Sequence, residues 1–156
     1  MKTLILAFVL LGAAPAAFAC ESVSVGGITV QQPWSRVSIG TQRPGVLYLT
    51  IRNDGPADDA LTAVSTPAAE TPMLHETVVS DGIASMPHVM QVPVPAGETV
   101  ELRPGGYHGM LMGLTGPLEE GATFPVTLTF ATAGEITIPV QVLSMRAEGP
   151  ECDDGQ

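Results

Sequence analysis

The chain has 156 residues, 45% of them hydrophobic and 14% charged, with a formal net charge of −10. That acidic balance opposes binding to nucleic acid or to an anionic lipid surface, and favours a small cation or a basic protein patch. Lys2 is its only lysine, so Schiff-base and lysine-nucleophile mechanisms are excluded beyond the first residues.

Lys2, the apolar run over 4–11 and the small-residue signal Ala17-Phe18-Ala19 read as a secretory leader over 1–19, cleaved before Cys20. The apolar stretch is short for a membrane span, and no later segment reaches about 18 uninterrupted apolar residues. Export as a soluble protein is expected. Lipid anchoring through Cys20 is the less favoured alternative, because Ala17 and Phe18 fit lipoprotein processing poorly. After cleavage five arginines face sixteen acids, a formal charge of −11. The remainder is long enough for one domain with a real core, placed at 20–147 and followed by an acidic tail at 148–156. Cys20 and Cys152 stand at its two ends. A disulfide between them, a free or lipidated cysteine, and metal ligation are all open from sequence.

Strand patterns occur in chain order at 23–30, 46–52, 73–79, 89–94, 99–102, 109–114, 123–130 and 135–142, where polar and apolar residues alternate or short β-rich runs appear. Asn53-Asp54-Gly55-Pro56 is a strong turn, and Ala131-Thr132-Ala133-Gly134 a hairpin connection. No segment makes an amphipathic helix of three turns. Many short strands that each bury one face predict an all-β sandwich. Pro125 and Pro139 interrupt otherwise good strand patterns, which predicts edge positions or displaced boundaries. Trp34 is expected to cap the core ahead of the alternative that it shields a metal, with Arg36 over its ring or paired to an acid. Asp58-Asp59 and Glu119-Glu120 read as solvated turn residues, and the tail as disordered unless Cys152 anchors it.

The chemistry concentrates in Met73-Leu74-His75 and His108-Gly109-Met110, with Met86 between them. Residues two apart on a strand share a face, so His108 and Met110 project together, as do Met73 and His75. Imidazole with thioether suits a soft cation. Such neutral ligands accept Cu(I) without deprotonating a thiol, whereas calcium and magnesium require oxygen donors and zinc normally recruits cysteine or carboxylate. The expected set is His75, Met86, His108 and Met110, with Met73 in a packing role and Met86 on a loop that folds over the others. His88 and Met90 form a further alternating pair, read as solvent-exposed or packing ahead of the alternative that either replaces a primary ligand or recruits a second ion. No G-x-S-x-G elbow accompanies any serine, and no enzyme activity is expected.

The spacing His75-x10-Met86-x21-His108-x-Met110 resembles the metal motif of the PCu(A)C family of periplasmic copper chaperones. Its flanks, Gly45 through Asn53, Leu74-His75-Glu76-Thr77 and Leu102 through Leu114, are similar to that family's characteristic segments, and the similarity covers about 28–142. The resemblance implies a cupredoxin-like β-sandwich that binds one Cu(I) per chain through His75, Met86, His108 and Met110. It also implies delivery to a copper-accepting subunit of cytochrome c oxidase at the CuA centre, alone or beside a thioredoxin-like assembly protein, by a monomer. Several family members carry a His/Met-rich C-terminal extension for Cu(II). The acidic tail of this chain departs from that pattern.

Overall fold

The computed structural model describes residues 20–152, so the leader expected over 1–19 and the last four residues of the tail lie outside it. The described chain forms twelve strands and no α-helix: β1 Ser22–Val25, β2 Ile28–Arg36, β3 Gly45–Asn53, β4 Asp59–Ser65, β5 Ala69–Glu76, β6 Val78–Ser80, β7 Ile83–Ser85, β8 Val92–Val94, β9 Thr99–Leu102, β10 Tyr107–Leu114, β11 Thr123–Phe130 and β12 Gly134–Leu143. Ten of them join one sheet in the order β5-β10-β9-β3-β2-β12-β11-β4-β8, with β1 added to β2 and a further β10–β3 pairing. The two ends of this sheet meet where β4 packs beside β5. The outcome is the cupredoxin-like β-sandwich that the strand pattern and the family resemblance predicted.

The core forms between the two curled halves. Leu47, Leu49 and Ile51 of β3 alternate inward and meet Leu61, Leu128, Ile138 and Val140 from the opposite half, all fully buried. Each such side chain stabilises the fold by about 1.5–3 kcal/mol through removal of apolar surface from water. Gly109 shows how tight the packing is: a Cβ added there would lie 2.9 Å from Leu47 Cβ. Glycine lets β10 lie directly on Leu47, which fixes the height of His108 and Met110 on either side of it.

A bulge turns β2 around. Gln31 pairs with Thr50 but Trp34 pairs with Tyr48, one residue out of register, and Gln32 takes a positive φ of 51°. The extra residue reverses the facing of the second half of β2. Ile28 and Val30 point into the core, whereas Trp34 joins Tyr48 on the outer face, ring centroids 4.6 Å apart. Trp34 therefore builds a second, aromatic layer rather than capping the main core. The Arg36 guanidinium lies 5.6 Å from the Trp34 ring and 5.8 Å from that of Tyr48, and donates to Ala147 O at 3.1 and 2.9 Å. Of the two roles open to Arg36, it takes the one over the ring.

Several boundaries differ from the sequence reading. Gly26 and Gly27, at φ 53° and 86°, split the predicted 23–30 strand into the β1–β2 hairpin. The predicted 73–79 strand stops at Glu76, after a last in-register bond from Thr77 N to Gly106 O at 3.0 Å, and Val78–Ser80 pairs instead with Ile83–Ser85 as a separate hairpin. β4 was not anticipated, since Asp59 at its start resembles turn sequence. That carboxylate accepts from the backbone N–H groups of Thr132 and Ala133 at 2.9 and 2.8 Å, pinning the β11–β12 hairpin instead of facing solvent alone. Pro125 and Pro139 sit opposite each other within β11 and β12. Their missing N–H groups point away from this ladder, and the pairings of β11 with β4 and of β12 with β2 begin only at Thr127 and Gln141, so both prolines lie on locally open edges as the sequence suggested.

Cys20 and Cys152 are disulfide-bonded, their Cα atoms 5.4 Å apart. Of the fates left open for the pair the structure shows the disulfide, which ties the segment after Glu148 back to the start of the domain. Among the described residues no helix is long and apolar enough to cross a membrane.

Candidate metal centre

β5 and β10 run antiparallel, with His75 opposite His108 and Met73 opposite Met110. The inner side of this ribbon is apolar: Leu74 faces Gly109, and Leu111 is fully buried. Alternation then places both His/Met pairs on the outer side. His108 is only 4% exposed. The His75 and His108 rings stack with centroids 5.9 Å apart and planes 29° from parallel.

Each ring is oriented through its Nδ1. That of His108 lies 3.0 Å from Gly106 O, presented by the Pro104-Gly105-Gly106 turn in which Gly105 takes φ 79°. The same carbonyl accepts from Thr77 N at 3.0 Å, so one oxygen joins the end of β5 to the start of β10. The His75 Nδ1 lies 2.8 Å from Met86 O. A carbonyl can only accept, so Nδ1 carries the proton in both rings and Nε2 is left as a lone-pair donor. The His75 Nε2 is buried with no protein partner. An unpaired buried polar atom costs about 1–3 kcal/mol, which a bound cation would remove.

The residues expected at the site are therefore brought together unequally. His75, His108 and Met110 share one face of one ribbon. Met86 reaches His75 through its backbone carbonyl, while its side chain stays 53% exposed at the mouth of the site. Met73, read from sequence as packing, stands directly across from Met110. His88 is the residue whose placement sequence reasoning missed. It pairs with His75 on the side of β5 away from β10, with ring centroids 5.8 Å apart. The signal was present in the repeated two-residue His/Met spacing at His88-Met90, without any indication of which strand it would join.

Among the described residues no group of three or more His, Cys, Asp or Glu side chains is arranged to hold a metal ion. The side chains that this ribbon does bring together are imidazoles and thioethers, a set suited to a soft ion.

A family model described as "Putative lipoprotein LpqE-like" matches residues 28–142. The chain belongs to the LpqE-like family. A relative described as "Putative lipoprotein Lxx21020", from Leifsonia xyli subsp. xyli (strain CTCB07), is 32% identical over 133 residues, covering 83% of this chain and 79% of its own. Among solved structures the chain is similar to the apo PCuAC domain from PmoF1, 26% identical with a TM-score of 0.69, over 80% of this chain and 99% of that one. It is also similar to Cu(I)-bound DR1885 from Deinococcus radiodurans, 29% identical with a TM-score of 0.58, over 81% and 83% of the two chains. These matches bear out the PCu(A)C resemblance drawn from the His/Met motif: this LpqE-like chain carries a PCuAC-type domain.

Proposed function

We propose that this protein is an exported Cu(I) chaperone that binds one ion through His75, Met86, His108 and Met110 and delivers it to an exported acceptor. The observation that carries the reading is the buried, unpartnered His75 Nε2 beside His108, with both Nδ1 atoms committed to carbonyls. Similarity to Cu(I)-bound DR1885 supports copper as the ion. The leader signal and the Cys20–Cys152 disulfide support an oxidising, extracytoplasmic compartment, the periplasm, with the protein soluble and monomeric. The acceptor proposed is the CuA-bearing subunit of cytochrome c oxidase, with a thioredoxin-like assembly protein as a second partner.

Transfer proceeds by ligand exchange. Met86 is exposed and lies on the segment after Gly82, so its thioether is the arm that opens while an incoming ligand begins to bind. Acceptor thiolates hold Cu(I) more tightly and set the direction. The deciding experiment is anaerobic Cu(I) competition on the mature chain and on a His75→Ala/His108→Ala double variant, followed by mixing with an apo CuA fragment. Tight one-to-one binding lost in the variant supports the site, and equal binding sinks it. Binding without metallation of the fragment identifies a copper buffer instead of a deliverer.

A further inference from the structure

The copper reading concerns the buried side of His75; its exposed side carries a second set of soft ligands. Glu76 N bonds Pro87 O at 3.2 Å and Val89 N bonds Leu74 O at 2.9 Å. These two bonds bracket His75 and His88 as a non-hydrogen-bonded antiparallel pair, the arrangement that brings facing side chains closest. Met90 follows two residues later at a bend, and a small surface cavity is lined by Met73, His88 and Met90. Three adjacent segments thus present a row of histidines, His88, His75 and His108, with Met73 opposite Met110 and with Met90 beside Met73 at the cavity.

Exposure is graded along this grid. Met90 is 80% exposed at one end, and His108 is buried at the other. His88 cannot complete a single three-imidazole centre, because His75 stands between it and His108, with ring separations of 5.8 and 5.9 Å on its two sides. Its position suits a separate function.

We propose that His88 and Met90 form an outer Cu(I) station through which the ion enters and leaves the buried His75/His108 pair, an inference that rests on the copper reading above. An arriving ion binds His88 Nε2 and the Met90 thioether at the surface. His75 Nε2 then replaces one of these ligands, and His108 with Met110 completes the inner set as His88 lets go. Each step exchanges one neutral ligand for another. The ion stays Cu(I) throughout, and no electron or proton moves. Met86, whose backbone carbonyl holds the His75 ring, closes the inner set with its thioether.

The test compares the mature chain with His88→Ala and with Met90→Leu, both at exposed positions where folding is retained, as matched thermal unfolding would check. Cu(I) affinity, measured anaerobically by competition with bathocuproine disulfonate, stays within about threefold of the parent, while the rate of Cu(I) transfer to that chelator falls about tenfold or more. In the parent, NMR titration with Ag(I) as a diamagnetic stand-in shifts the His88 ring and Met90 methyl resonances during the second equivalent. Unchanged transfer rates overturn the proposal, as do resonances that do not move. An affinity loss in His88→Ala as large as in His75→Ala also overturns it, by making His88 an inner ligand. A parent that binds no Cu(I) removes the copper reading itself, whereas a parent that binds with unaltered kinetics in the variants removes only the outer station.

Discussion

His75 and His108 face one another across the β5–β10 ladder, and each ring is aimed by a hydrogen bond from Nδ1 to a carbonyl outside the ladder: Met86 O for His75 and Gly106 O for His108. The pair is held before any ion arrives. Preorganisation of this kind spares a carrier the cost of ordering its ligands at each capture.

Met86 combines a backbone role in orienting His75 with an exposed side chain, and the two can be separated. Met86→Ala keeps the carbonyl that orients His75 and removes the thioether. Cu(I) affinity is expected to fall by about 10–100-fold with the unfolding midpoint unchanged. Anaerobic chelator competition and a thermal melt on the same sample check this, and an unaltered affinity would remove Met86 from the ligand set.

Gly109 stands between His108 and Met110 with no room for a side chain. Gly109→Ala drives a methyl to 2.9 Å from Leu47 Cβ and should destabilise the domain by about 1–3 kcal/mol through overpacking. Denaturant unfolding measures it. Pairing the change with Leu47→Gly, which removes the clashing Cβ, should cost less than the sum of the two single changes.

Asp59 holds the β11–β12 hairpin by accepting from Thr132 and Ala133. In Asp59→Ala these N–H groups lose their acceptor, with an expected cost of about 1–3 kcal/mol. Hydrogen exchange should accelerate at Thr132 and Ala133 before it does elsewhere in β12. Uniform acceleration across the sheet would mean that the carboxylate does not act locally.

The Cys20–Cys152 disulfide closes nearly the whole domain, with a sequence separation of 132. A Cys20→Ser/Cys152→Ser variant should lose about 2–5 kcal/mol of stability. Its Cu(I) affinity should match the parent, because neither cysteine belongs to the His/Met ribbon. Loss of binding in a variant that still folds would show that the termini take part in the site.

Tyr48 supplies a pH signature. Burial pushes its hydroxyl above the ordinary tyrosine range, and Arg36 pulls in the other direction without reversing the shift. Folding therefore favours the protonated form. The associated stability is fully present below the unfolded-state value of about 10 and is lost as the pH rises through the higher folded value. Tyr48→Phe should flatten that alkaline decline, and phenolate absorbance during a pH titration should lose its upper step.

Much of the site was legible because its chemistry is local. The two-residue spacing of His108-Met110 guarantees a shared face on any strand, and thioether beside imidazole specifies a soft ion whatever the fold around it. The strands with clean alternation, β3, β11 and β12, were legible for the same reason. Elements governed by one unusual residue were not. The bulge at Gln32 moves Trp34 to the outer face, and Asp59 looked like turn sequence because its partners lie more than seventy residues away.

The sequence by itself determined the all-β class and the two His/Met pairs on β5 and β10, because period-two facing and ligand softness are properties of neighbouring residues. Only the tertiary structure decided that His75 faces His108 on one side and His88 on the other, that Met86 approaches through its carbonyl, and that Cys20 bonds Cys152. These are matters of register and chain return between distant segments. No local pattern encodes them, since a shift of one residue in either pairing would keep the same composition and turn the ligands to the opposite face.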